Sequence, residues 1–186
     1  VAAAPDGEPR GYTYGAVILA EGDLTPAAIQ EVLRGIRFTG WIAPPRDGWI
    51  VVLGDPGDAV IADGRRGVIE VAAELASRSA GGVLAVRVRE DRQLGLVAWR
   101  AGDELGRYCS DPSREPEADQ EVLDQPVGVE LADSLAEVWG RWDAADKLTE
   151  LLEEELDPDS VFESERLRSV LRLLGLPAWI MASGAL

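Results

Sequence analysis

The side chains best suited to bind another molecule lie in the stretch from Val83 to Ser110. Three runs rich in valine, leucine and aromatic residues are separated there by two polar turns, which is typical of antiparallel strands. Because strand side chains alternate between two faces, we expect Arg87 and Arg89 to share one face with Trp99, and we place Tyr108 with them. Arginine, tryptophan and tyrosine are enriched at interface hot spots. These four residues are therefore the candidate partner-binding or ligand-binding site.

An alternative for the same face is purely structural. The C-terminal helices could pack over it, with the aliphatic stems of the arginines covering Trp99. The sequence does not decide between an open face and a covered one.

The absence of histidine limits the chemistry that the chain can do. Histidine is the commonest general base and metal ligand, and Ser–His or Cys–His nucleophiles require it. Cys109 is the only cysteine, which rules out an internal disulfide and a zinc-binding thiolate cluster. We interpret it as an inert, apolar-flanked thiol rather than one activated by Arg107. No phosphate-binding loop or hydrolase motif is present. The sequence indicates no catalytic residue, no cofactor and no metal, and favours a protein that is not an enzyme.

Two acidic clusters could bind a cation, and both have a simpler interpretation. The first comprises Asp55, Asp58 and Asp63, in a loop where Asp and Gly are the ordinary turn residues. The second comprises Asp157, Asp159, Glu163 and Glu165, and it lacks the glycine and the distal glutamate of a calcium loop. We predict that Asp159 or Ser160 caps a helix there, with the other acids favouring the helix dipole.

The charge of the chain is large and unevenly distributed. The 186 residues carry a net charge of −16. Residues 1–110 have 12 basic and 15 acidic side chains, and residues 111–186 have 6 basic and 19 acidic ones. An acidic half repels nucleic acid and anionic membranes, and it attracts cationic proteins. Solubility alone would also explain the charge.

The order of the predicted elements indicates an α+β fold. A strand over residues 12–20 precedes a helix that begins at Thr25 and Pro26, an N-cap and a proline at the first helical position. A hairpin over residues 40–53, a second helix over 65–79 and the meander follow. We predict a ferredoxin-like, mainly antiparallel sheet of about six strands, with two helices on one face and the other face open.

The C-terminal part changes to a helical period. Three amphipathic helices are predicted over residues 130–139, 144–156 and 160–174, and Gly175 with Pro177 ends the last one. We divide the chain into a flexible arm (1–11), a sheet domain (12–112), a linker (113–129) and an acidic helical segment (130–186) packed on the sheet.

Two functions from different classes fit these observations. The first is a cytoplasmic, immunity-like or regulator-like protein that engages a basic protein through its acidic half. The second is a small-molecule-binding or enzymatic domain with a groove lined by arginine and tryptophan between sheet and helices. No nucleic acid or membrane partner is expected. The first function requires exposed, unpaired carboxylates, and the second requires a deep pocket at Arg87, Arg89 or Trp99.

Overall fold

A computed structural model describes residues 13–57, 59–116, 118–119, 121–122, 124–155 and 162–180. The predicted arm, Asp58, Asp157, Asp159 and Ser160 lie outside the described residues. The elements in chain order are β1 Tyr14–Ala20, α1 Pro26–Gly35, β2 Gly40–Ile42, β3 Trp49–Gly54, α2 Val68–Ala76, β4 Gly82–Arg89, β5 Gln93–Arg100, β6 Asp103–Cys109, α3 Leu131–Val138, α4 Ala145–Glu153 and α5 Glu163–Leu174.

The six strands form one antiparallel sheet in the order β2-β3-β1-β4-β5-β6. Strand β1 lies at its centre, where Val17 pairs with Val52 on one side and with Ala85 on the other. The chain is therefore an α+β protein, as the sequence predicts.

Helices cover both faces of this sheet, so neither face is open, and the face that carries Trp99 is covered by α1 and α2 rather than by the C-terminal helices. Val17, Val52 and Val97 lie in the apolar cluster beneath α1 and α2. Their strand neighbours, including Ile18 and Leu96, lie in a second cluster with the apolar residues of α3, α4 and α5. The reason is visible in β5, whose residues from Gln93 to Trp99 are all buried. A strand that is apolar on both faces requires a cover on each side.

The start of α1 follows the predicted pattern. The Ala28 amide donates a hydrogen bond to Thr25 Oγ1 over 3.1 Å, and Pro26 occupies the first helical turn. At the other end of the chain, Gly175 closes α5 in the left-handed conformation with φ of 70°. Both predictions of helix ends are confirmed.

The N-terminus of α5 is capped by a residue from the sheet. Asp91 lies in the turn between β4 and β5, and only 5% of its surface is exposed. Its side chain accepts a 2.7 Å hydrogen bond from the Ser164 amide, and its carbonyl accepts one of 3.0 Å from the Glu163 amide. Phe162, the residue at the helix boundary, makes no side-chain cap of its own. A turn of the sheet thus fixes where α5 begins.

We predict that Asp91→Ala lowers the free energy of unfolding by about 1–2 kcal/mol, the range for loss of a helix cap. Asp91→Asn should lose less, because the amide oxygen still accepts a hydrogen bond. The measurement is equilibrium unfolding in urea.

The matched control is Glu90→Ala. Glu90 is exposed and lies in the same turn with a similar positive φ, 50° against 57° for Asp91. Equal losses for the two alanine variants would show that backbone conformation, and not the cap, sets the effect.

Candidate functional site

Arg87, Arg89 and Trp99 share one face of the sheet, as the alternation predicts, whereas Tyr108 lies on the other face. Arg87 and Trp99 lie on the face covered by α1 and α2, where Trp99 is 3% exposed and belongs to the core. Tyr108 pairs with Leu96 in the register of β5 and β6, and paired residues point to the same face. Tyr108 therefore faces α3–α5, so its predicted place beside Trp99 is wrong. Alternation along the sequence could not predict the face on which Tyr108 lies, because the pairing of β5 with β6 shifts by one residue between Ala98 and Trp99.

Arg87 and Arg89 share a single carboxylate. Glu115 accepts hydrogen bonds from Arg87 Nη2 and, over 2.9 Å, from Arg89 Nη1. The Arg87 guanidinium lies over Gly95, and its buried Nε has no hydrogen-bond partner among the described residues. Glu115 belongs to the predicted linker, so the linker contacts the sheet here. Local neutralisation by Glu115 reduces the attraction of this pair for an outside anion.

A cleft of about 200 Å³ lies beside the arginine pair, where β1 begins, β3 ends and α2 starts. Its charged lining residues are Arg65, Arg87, Arg89, Asp55 and Glu70. The cleft has the arginines of the predicted groove, but no tryptophan lines it, because Trp99 is in the core. This cleft therefore differs from the expected groove, which was to be lined by both arginine and tryptophan.

Cys109 is next to the same cluster. Its Sγ lies 3.4 Å from Gln93 Nε2 and 3.9 Å from the Glu115 carboxylate. Burial raises the pKa of the Cys109 thiol. The thiolate, which is the nucleophilic form, is therefore disfavoured.

A buried polar network surrounds Tyr108, and the sequence did not predict it. The Tyr108 hydroxyl donates to the Leu152 carbonyl over 3.0 Å. The Arg166 guanidinium donates to the Tyr108 oxygen and to the Glu154 carbonyl, and its Nε lies 3.2 Å from Glu163 Oε2. Arg166 therefore places a cation at the C-terminal carbonyls of α4, where the helix dipole favours it.

Burial governs the electrostatics of this network. The side chains of Arg166 and Glu163 are 1% and 7% exposed. Burial raises the pKa of Glu163, although Arg166 and Ser110 oppose the shift. Burial likewise raises the pKa of Tyr108. A buried pair of this kind is more important for the geometry of the helices than for net stability.

A sequence signal for the network does exist. Glu163 and Arg166 fall on the apolar stripe of α5 that continues through Leu167 and Val170. Two opposite charges three residues apart on a buried stripe indicate a buried ion pair. The predicted place of Glu163 in the first turn of a helix is confirmed, but its pairing with Arg166 was not predicted.

The third feature is an acidic surface, which we define as Glu137, Trp142, Asp143, Asp146 and Glu153. All five residues are exposed, and Trp142, with 64% of its surface accessible, is the most exposed large apolar side chain among the described residues. Trp142 lies in a short 3₁₀ turn over residues 142–144 that leads into α4, and Asp146 and Glu153, seven residues apart, lie on one side of that helix. An exposed aromatic side chain thus precedes an acidic helix.

Few cations balance these carboxylates. Residues 124–155 hold ten acidic and two basic side chains, a net charge of −8. Glu137 pairs with Arg100 at 3.4 Å and Asp143 with Arg141 at 3.5 Å. Asp146 and Glu153 have no ion pair with any described residue.

The positions of the acids are only partly explained by helix stability. Asp146 is in the first turn of α4, where a negative charge is favourable. Glu153 is in the last turn, where a negative charge is unfavourable and no basic residue of that turn compensates it. Glu137 occupies the same unfavourable position in α3.

Comparisons with protein-family models, with curated proteins and with solved structures find no match for this chain. None of the helices in the described ranges is both long enough and apolar enough to cross a membrane. Across the same ranges, no cluster of three or more acidic or cysteine side chains is arranged to hold a metal ion.

We predict that Arg166→Met lowers the free energy of unfolding by about 3–5 kcal/mol, because it leaves Glu163 buried without its counter-charge. The double variant Glu163→Gln/Arg166→Met should recover part of this loss. Urea unfolding of the single and double variants measures both effects.

Arg168→Met is the matched control, since Arg168 is an exposed arginine on the same helix. It should change the free energy of unfolding by less than about 0.5 kcal/mol. A loss for Arg166→Met as small as that of the control would contradict the role of the buried pair.

Proposed function

We propose that this chain is a partner-binding protein, of an immunity-like or regulator-like kind, that engages a cationic protein through the acidic surface. The observation that carries the proposal is a 64% exposed Trp142 four residues before Asp146, a carboxylate that has no ion pair with any described residue. Tryptophan is among the residues most enriched at interface hot spots. Carboxylates around such an anchor select for positive charge in the partner.

The negative charge of the segment that contains α3 and α4 indicates that the partner is positively charged. A net charge of −8 over residues 124–155 steers a cationic molecule toward this side of the protein. It also opposes binding of nucleic acid through its phosphates. The exposed position of Glu153 at the unfavourable end of α4 supports a role outside the fold, because the helix would be more stable without that charge.

The test is capture of proteins from source lysate on the immobilised chain, at low and at high salt. We expect a basic protein that is captured at low salt and released at high salt, since salt screens exposed charges. Trp142→Ala should weaken the capture, and Asp146→Lys/Glu153→Lys should abolish it.

The control is Glu21→Lys/Glu31→Lys, which changes the net charge equally at two exposed acids far from the acidic surface in sequence. It should leave the capture intact. No captured protein, or equal loss with the control variant, would overturn the proposal.

A second candidate is binding of a small anion in the cleft beside Arg87, the small-molecule alternative. The observation in its favour is the buried Arg87 Nε, which has no hydrogen-bond partner in the described part of the protein. The probe is inorganic phosphate, tested by thermal shift and by titration calorimetry. An increase of Tm with phosphate that is lost in Arg65→Ala and kept in Arg78→Ala would support the site. No increase of Tm in the wild type would exclude phosphate as its ligand.

For the fold, we propose that β1, α1, β2, β3, α2 and β4 form a ferredoxin-like split βαβ unit extended by β5 and β6. The spatial order β2-β3-β1-β4 and the antiparallel pairing of neighbours support this. We also propose that the chain divides into a sheet domain over residues 12–112, a linker over residues 113–129 and a helical segment from residue 130, and that the protein is cytoplasmic.

A further inference from the structure

A second surface of α4 faces α5 across a shallow groove of about 790 Å³. The two helices run in opposite directions. Arg166, near the start of α5, contacts the Leu152 and Glu154 carbonyls at the end of α4. Gly175, just after α5, lies beside Arg141, which precedes α4. The groove therefore runs along both helices from the end of one to the start of the other.

The groove has an apolar floor and two ends of opposite charge. Half-buried Leu151 and Leu173 form the floor. Lys147 and Arg172 lie toward the end where α4 starts and α5 finishes. Glu150, Glu153 and Glu154 lie toward the opposite end. On α4 the sign changes between Lys147 and Glu150, and the charged residues from Lys147 to Glu154 cover a separation of seven residues, or about 10 Å.

A surface polarised in this way is complementary to itself. If a second copy is turned by a two-fold axis through the middle of the groove, the cationic end of each copy faces the acidic end of the other. The two pairs of leucines meet at the axis, where they exclude water from each other. A partner of a single charge sign would instead meet like charge at one end of the groove.

We propose that the groove between α4 and α5 is a homodimer interface in which Lys147 and Arg172 of each copy face Glu150 and Glu154 of the other. Trp142 and Asp146 lie outside the groove, and Glu153, which also belongs to the acidic surface, is not among the residues paired here. The proposal therefore does not rest on the proposed function. The net charge of −16 on each chain opposes association at long range, and at physiological salt this repulsion is screened beyond about 8 Å.

The test is a charge swap between two variants. Lys147→Glu/Arg172→Glu makes both ends of the groove acidic, and Glu150→Lys/Glu154→Lys makes both ends cationic. Each variant alone should be a monomer, with a dimer dissociation constant raised about tenfold or more by like charges in contact. An equal mixture of the two should form a heterodimer, because every contact in it pairs opposite charges. Native mass spectrometry resolves the three species.

The control is Arg34→Glu/Arg78→Glu, which changes the net charge as the first variant does, at exposed positions on the α1 and α2 layer. It should remain a dimer like the wild type. A monomeric wild type, single variants that still dimerise, or a mixture without heterodimer would each overturn the proposal. The four exchanged side chains are all exposed, and circular dichroism checks that each variant is folded.

Discussion

The structure depends on a sheet whose central strands are apolar on both faces. Strands β1, β4 and β5 place Ile18, Leu84 and Leu96 on one side and Val17, Ala85 and Val97 on the other, all shielded from water. Burial of apolar surface on both sides requires two helical layers. The α1 and α2 layer closes one face, and the α3–α5 layer closes the other. Most apolar residues of α3, α4 and α5 are thereby committed to the core, and most carboxylates of these helices are left on the outside.

Polar contacts between distant segments fix the second layer to the sheet. Asp91 sets the start of α5, and Arg166 joins the end of α4 to Tyr108 on β6. These contacts favour one arrangement of the helices over alternatives. Arg166 Nε and Glu163 Oε2 are paired by charge at 3.2 Å but make no hydrogen bond with any described residue. The exposed surface of α4 therefore has a defined orientation, and Glu153 belongs both to the acidic surface and to the lining of the groove.

Local sequence patterns predicted the helices and strands well. They did not predict contacts between residues that are far apart in the sequence. Thr25 and Pro26 mark the start of α1 because an N-cap acts within three residues. The cap of α5 joins residues 73 apart, and the contact of Arg166 with Tyr108 spans 58. Trp99 followed the predicted alternation, yet alternation does not reveal whether α2 covers that face. The arginines of the candidate site were found from their types, and Glu115, which neutralises them, was not.

We propose that two exposed carboxylates of α4, those of Asp146 and Glu153, act outside the fold. The measurement that tests it most directly is the free energy of unfolding of Asp146→Asn/Glu153→Gln. The favourable charge at the start of the helix and the unfavourable one at its end should cancel, leaving a change within about 0.5 kcal/mol. A loss of more than about 1 kcal/mol would mean that these carboxylates hold the helix in place. Their exposure would then need no partner to explain it.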